Sequence, residues 1–226
     1  VGSEMCIRDR FYVVHNVGAV LEEDAQDGLA HFTEHMAFQG TKHFPGKDLI
    51  HFLERIGVRF GHNINAFTSY DVTAYNLSNV PTTRESVLDT ALLILHDWSG
   101  FISFEPEEIE LERGVVREEW RTYRTAQWRL YKEKMRYMFY GSKYAERDVI
   151  GEIDIINNFE HETLVQFYKD WYRPDLQAII VVGDFDPEMM ERKIKERFSS
   201  IPSHEDPRHR PNYEIPDHKD PLVGVY

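Results

Sequence analysis

The 226 residues of this chain predict a mixed fold of helices and strands, on three observations. Short apolar, β-branched runs of strand length recur along it, and longer stretches between them space their apolar residues as helices do. Hydrophobic residues make up 42% of the chain and aromatic ones 13%, enough to build a core and to exclude wholesale disorder. The best uninterrupted apolar run, residues 178–182, is strand-sized and far below the ~20 residues that a membrane helix needs.

Residues 11–20 are apolar and β-branched and predict a strand. A helical pattern follows over residues 28–38, behind Glu22, Glu23, Asp24 and Asp27, whose charges suit a helix N-terminus. Pro45-Gly46 breaks the chain, and residues 47–56 then repeat Leu49, Ile50, Phe52, Leu53 and Ile56 at helical spacing. Residues 59–68 and 72–80 predict two strands with Ser69-Tyr70-Asp71 as their turn. Residues 86–101 predict a helix that buries Val87, Leu88, Ala91, Leu92, Leu95 and Trp98. Residues 106–139 carry one long helical pattern opened by Pro106 in its first turn. Further helical stretches cover residues 161–171 and 187–198, around the strand 178–182.

Both ends read as cut. The opening decapeptide has no n-region, apolar h-region or cleavage site, and it resembles translated adapter sequence as much as a flexible terminus. Prolines at 202, 207, 211, 216 and 221, set among charges, predict a linker. The expected organisation is a non-native leader at 1–10, one domain at 11–201, a linker at 202–221 and the start of a second domain at 222–226. With 26 basic against 39 acidic residues the net charge is −13, which argues against general nucleic-acid binding. The single Cys6 excludes an intrachain disulfide without fixing the compartment.

The chemistry concentrates at His31-Phe32-Thr33-Glu34-His35. Residues i and i+4 share a helix face, so both imidazoles can point at one metal ion, and Glu34 lies close enough to reach a water there. The order His-x-x-Glu-His is the inverzincin signature. A shuffled chain of this composition contains it roughly one time in twenty, so the motif alone leaves a surface helix with scattered histidines open.

The wider segment Gly28-Leu29-Ala30-His31-Phe32-Thr33-Glu34-His35-Met36-Ala37-Phe38-Gln39-Gly40-Thr41-Lys42 resembles the metal-binding segment of the pitrilysin/insulinase family of zinc peptidases. Further likenesses follow in that family's order. Asn65-Ala66-Phe67-Thr68-Ser69 resembles its active-site strand, and Glu112-Arg113-Gly114-Val115-Val116-Arg117-Glu118-Glu119-Trp120 resembles its second metal segment. Trp171-Tyr172-Arg173-Pro174 and Val181-Val182-Gly183-Asp184-Phe185 match later signatures. The likeness covers residues 11–226 and points to the long bacterial members.

That resemblance implies an α+β sandwich with a mostly antiparallel sheet, helices packed on one side, and an initial strand missing from this chain. It implies one Zn²⁺ held by His31, His35 and a carboxylate, with Glu34 as general base on the metal-bound water. The family's second segment places a Glu, a Val four residues on and the ligand Glu at seven, giving Glu112, Val116 and Glu119. Seven residues are about two helical turns, so Glu112 and Glu119 share a face, while the rival Glu118 is turned about 100° away. Glu119 is then the third ligand and Glu112 a carboxylate that positions the site. Asn65, Ala66, Phe67 and Thr68 are implied to pair with an extended peptide substrate, against the plainer reading of a core strand.

The expected function is zinc-dependent cleavage of peptides or small unfolded proteins, in partnership with homologous C-terminal domains of the same complete protein. Two alternatives stand beside it: a non-catalytic family domain serving as a structural or peptide-binding subunit, and a metal-binding helical protein with no hydrolytic role. The complete metal set and the ordered matches argue against both. The bacterial likeness implies a periplasmic or cell-envelope location. His43, His51, His62, His96 and His161 lack paired spacing and read as structural or exposed. Trp128, Tyr131, Met135 and Met138, at helical intervals, read as core or packing surface.

Overall fold

The computed structural model of the chain describes residues 9–55, 61, 63–80, 84–219 and 221–224. Among them, strands β1 (Arg10–His15), β2 (Ile64–Thr68), β3 (Thr73–Ser78) and β4 (Gln177–Val182) form one sheet in the order β2-β3-β1-β4. Every pairing is antiparallel, with Phe11 opposite both Leu77 and Val181, and Ile64 opposite Leu77. The two-residue period of a strand therefore puts Phe11, Val13, Tyr75, Leu77 and Ile64 on one face, and all five are buried. On the other face Ile180 and Val182 stay exposed.

The helices are α1 (Leu29–Met36), α2 (Asp48–Arg55), α3 (Glu85–Gly100), α4 (Pro106–Tyr123), α5 (Ala126–Met138), α6 (Ile153–Asn158), α7 (His161–Trp171) and α8 (Pro187–Phe198). Helix α1 lies at the centre, touching β2, β3, α4 and α7. Trp98, Trp171, Phe32 and Phe167 fill the layer around it, and Trp98 Nε1 donates to the Ala37 carbonyl at 3.0 Å, tying α3 to the end of α1. No described helix is long and apolar enough to cross a membrane.

Several expectations need correction. The first strand stops at His15, because residues 19–20 turn away to hydrogen-bond the loop at Ser69 and Tyr70 (3.1 and 2.9 Å) instead of the ladder. Only glycine fits at that corner, since a Cβ on Gly18 would stand 2.4 Å from the Ser69 carbonyl oxygen. The long helical pattern is two helices. Arg124 inserts its guanidinium between the rings of Trp120 and Trp128 (4.0 and 3.7 Å), and Thr125 caps α5 by accepting from Trp128 N at 3.1 Å. Helix α6 went unread. The strand expected at residues 59–68 begins at Ile64, and its residues 59–60 and 62 lie outside the described ones.

At the ends, residues 1–8 lie outside the described residues, but Asp9 and Arg10, expected in the leader, are built into the sheet region. Arg10 pairs with Ser78 and Val182, and Asp9 accepts from Asp184 N at 3.0 Å. Residues 202–219 form no regular element yet lie against the fold. Arg208 pairs with Glu23 (2.7 Å) and Asp170 (2.9 Å), and Arg210 donates to the Asn16 carbonyl at 2.8 Å. Residues 222–224 are not in a strand, and residues 225–226 lie outside the described ones.

Candidate metal centre

Helix α1 starts at Gly28, in a left-handed conformation (φ 98°) that a side chain would strain. A Cβ there would also meet Gly151 Cα at 2.8 Å. The free N–H groups of this helix start are met by the buried Glu22, whose carboxylate accepts from Gly28 N (3.1 Å) and Ala30 N (2.8 Å). These anchors fix where the first turn, and with it His31, enters the core.

From α1, His31 and His35 turn their Nε2 atoms towards each other, 3.3 Å apart. From α4, Glu119 brings Oε2 to 3.2 Å from His35 Nε2 and 3.7 Å from His31 Nε2. A zinc ion with ligands at ~2.0–2.1 Å in a tetrahedron needs donor separations of roughly 3.4 Å, and these three edges bracket that value. Two imidazoles and one carboxylate suit this borderline ion, so the residues present fit zinc. Burial, helped by the neighbouring His35, pushes His31 down to about 4, which keeps it neutral with a nitrogen lone pair to offer.

Glu112, buried on the same face of α4, holds His35 Nδ1 at 2.7 Å. That bond fixes the ring's orientation and leaves Nε2 for the centre. Burial alone would lower His35, but its hydrogen bonds to Glu112 and Glu119 outweigh that and take it up to about 10. Glu118 points away, exposed and paired with Arg121 at 2.6 Å. Glu34, on the inner side of α1, is pushed up by burial, partly offset by the Thr68 hydroxyl that donates to its Oε2 at 2.7 Å.

The strand residues divide by face. Ala66 and Thr68 share the inner face with Ile64 and look towards α1, whereas Phe67 and Asn65 are exposed on the other face. Two compartments meet at Glu34, His35 and Ala66. One, of about 630 Å³, runs past Phe38, Ile50, Ile64 and Val115 towards Lys47. The other, of about 510 Å³, is walled by Tyr70, Tyr123, Trp128 and Tyr131. Trp128 and Tyr131, expected as core or packing surface, thus line the cleft, and Met135 is buried while Met138 is exposed.

Two groups were missed in the sequence, one beside the centre and one apart from it. Gln39 donates through Nε2 to Glu112 Oε2 and accepts from Lys47 Nζ at its own carbonyl oxygen. It follows His35 by four residues, in the turn just past the end of α1. His43 and His96, read as unrelated, converge on Asp97, at 2.7 and 3.4 Å from its Oδ1. His51 is exposed, His161 pairs with Glu110 at 2.7 Å, and His62 lies outside the described residues.

A helix bearing two histidines a turn apart, a second helix supplying a carboxylate and an edge strand beside them belong together in known proteins too. The profile of the insulinase family of peptidases (peptidase family M16) matches residues 10–152, and that of the M16 inactive domain matches residues 158–224. The chain belongs to the M16 insulinase family. The two matched regions share one sheet, since β4 of the second pairs with β1 of the first.

The chain is 37% identical over 221 residues to the probable zinc protease PqqL of Haemophilus influenzae, covering 97% of this chain and 23% of that protein. It is 36% identical to the crystal structure of the first half of the periplasmic protease PqqL from Escherichia coli, with a TM-score of 0.85 over 92% of this chain and 44% of that one. Pitrilysin, at 20% identity and a TM-score of 0.73 over 97% of this chain and 22% of that one, shares the fold. The chain therefore spans about a quarter of the first of these relatives. Its relatives are named zinc proteases, and the chain is a domain of that peptidase family.

Proposed function

We propose that this chain is the zinc-binding catalytic domain of an endopeptidase acting on peptides or small unfolded proteins. His31, His35 and Glu119 hold the metal, Glu34 is the general base and Glu112 positions His35. The observation that carries this reading is the convergence of three ligand atoms from two helices at 3.2–3.7 Å, with Glu34 one position before His35 on the inner side. Zinc held there would supply Lewis-acid polarisation of the scissile carbonyl and a water of lowered pKa.

The protein's own groups do the rest. Thr68 holds Oε2 of Glu34, so Oε1 is the oxygen placed to take a proton from the attacking water and hand it to the leaving amine. The outer edge of β2 pairs with no strand among the described residues, so an extended peptide can add there with its scissile bond near Ala66. Apolar side chains exposed beside the cleft, among them Leu111, Val115, Tyr123 and Tyr131, support a partnership with homologous C-terminal domains of the complete protein.

The test is Glu34→Gln in the complete protein. The variant keeps one zinc per chain but loses hydrolysis of a quenched fluorescent peptide by about 10²–10⁴-fold, because only the proton acceptor is removed. Cleavage at near wild-type rate overturns the assignment of Glu34. Zinc lost together with activity overturns the separation of ligands from base.

A further inference from the structure

The compartment of about 630 Å³ that opens beside Glu34 and His35 has apolar walls at Phe38, Ile50, Ile64 and Val115, and one lysine, Lys47. Lys47 sits in the turn after Pro45-Gly46, just ahead of α2, and is exposed. Its Nζ donates to Gln39 Oε1, a neutral acceptor, and no carboxylate pairs with it among the described residues. An ammonium group has three donors, so two remain for something else. In a chain of net charge −13, a lysine inside the cleft without a carboxylate partner is a local exception to the prevailing sign.

We infer that this compartment is a subsite for a substrate residue carrying a carboxylate at the end of an apolar stem, with Lys47 as the group that sets the specificity. The inference rests on the peptidase reading above. Glu34 and Glu112 line the inner end of the compartment and leave no free cationic side chain there, whereas the exposed Lys47 lies towards its outer end. A longer stem, such as that of glutamate, lies along Phe38 and Ile50 and carries its charge outward to Lys47. Apolar walls and a terminal cation together favour that shape over a plain aliphatic side chain or a cationic one.

A positioning role for Lys47 is the competing account, because Gln39 links it to Glu112 and so to His35. The two accounts differ in what they do to different substrates. Loss of positioning slows every peptide alike, whereas loss of a specificity group changes the ratio between peptides.

The experiment uses the complete, zinc-loaded protein and acetylated, amidated peptides that differ only in the residue on one or other side of the scissile bond: Glu, Gln, Leu or Lys. A fifth peptide carries Leu there and a free terminal carboxylate. Values of kcat/KM are compared for wild type, Lys47→Gln and Lys47→Glu. At one of the two positions wild type favours Glu over Gln by about tenfold, Lys47→Gln levels the pair, and Lys47→Glu turns the preference towards Lys. Equal ratios in all three proteins overturn the inference, as does a Lys47 dependence confined to the free-terminus peptide, which assigns the carboxylate to the chain end. Wild type that cleaves none of the peptides contradicts the peptidase reading itself, a failure visible before any ratio is formed.

Discussion

Two histidine–carboxylate groups of the same composition lie in this fold, His31, His35 and Glu119 in one and His43, His96 and Asp97 in the other. In the second, Asp97 Oδ1 faces His43 Nδ1 and His96 Nδ1, while Oδ2 accepts from the Thr41 hydroxyl (2.7 Å) and from His43 N (2.9 Å). Four partners use the four lone-pair directions a carboxylate has. His96 is further fixed by stacking on Phe101, with ring centroids 4.6 Å apart. The group is a pin that holds the loop at residues 41–43 against α3. In the first group, two ring nitrogens and a carboxylate oxygen face one another across 3.2–3.7 Å with a buried, neutral His31 among them. What separates the proposed metal centre from the structural pin is therefore the unused ring nitrogens of a neutral His31, not residue types.

The sharpest way to break this comparison is to measure zinc in variants of both groups. His35→Ala and Glu119→Gln each remove one of the three proposed ligands and are expected to cost on the order of 10³-fold or more in zinc affinity. His43→Ala and Glu118→Gln leave the affinity within about twofold, since neither side chain reaches the centre in this account. Metal analysis after dialysis against a graded chelator reads both. Equal zinc loss in Glu118→Gln and Glu119→Gln overturns the choice between them, and zinc loss in His43→Ala places metal in the second group.

A smaller effect is expected one bond away from the metal. Glu112→Gln keeps the shape of the side chain but weakens its hold on His35 Nδ1, and outer carboxylates of this kind typically carry 10–100-fold in metal affinity. Competition with a chelating dye measures it. An unchanged affinity with normal folding would mean that His35 is oriented by its packing rather than by Glu112.

The comparison also shows where the sequence is informative. The α1 pair was legible because i and i+4 share a face by local geometry alone, and residues 187–198 form a helix over the span read from their pattern. The sheet's antiparallel order came from the family likeness, not from periodicity. The pin was not legible, because His43 and Asp97 are 54 residues apart and only the packing of loop on α3 joins them. The break at Arg124 was hidden by the apolar rhythm that Trp120 and Trp128 carry across it, and the early end of β1 depends on a loop some fifty residues later. Lys47 gave no signal, since a lone lysine after Pro-Gly is ordinary turn sequence.

The smallest effect on zinc belongs to Asp97, and it distinguishes the pin by stability and pH instead. Although burial opposes it, the hydrogen bonds from His96, His43 and Thr41 hold the Asp97 carboxyl below the usual carboxylate range. An unfolded aspartate takes up its proton near ~3.9, so the folded chain binds that proton less readily than the unfolded one. The stability Asp97 contributes is thus fully present above about pH 4 and is lost as pH falls through its lower folded value. Asp97→Asn removes the charge and sets an amide N–H₂ against existing donors, which costs about 1–3 kcal/mol at pH 7. Denaturant midpoints of wild type and variant should stand apart at pH 6–7 and draw together below about pH 4, while at pH 7 the two proteins bind zinc equally. A gap that stays constant with pH would show that the charge of Asp97 is not what holds the pin, and a fall in zinc affinity would show that the two groups are coupled.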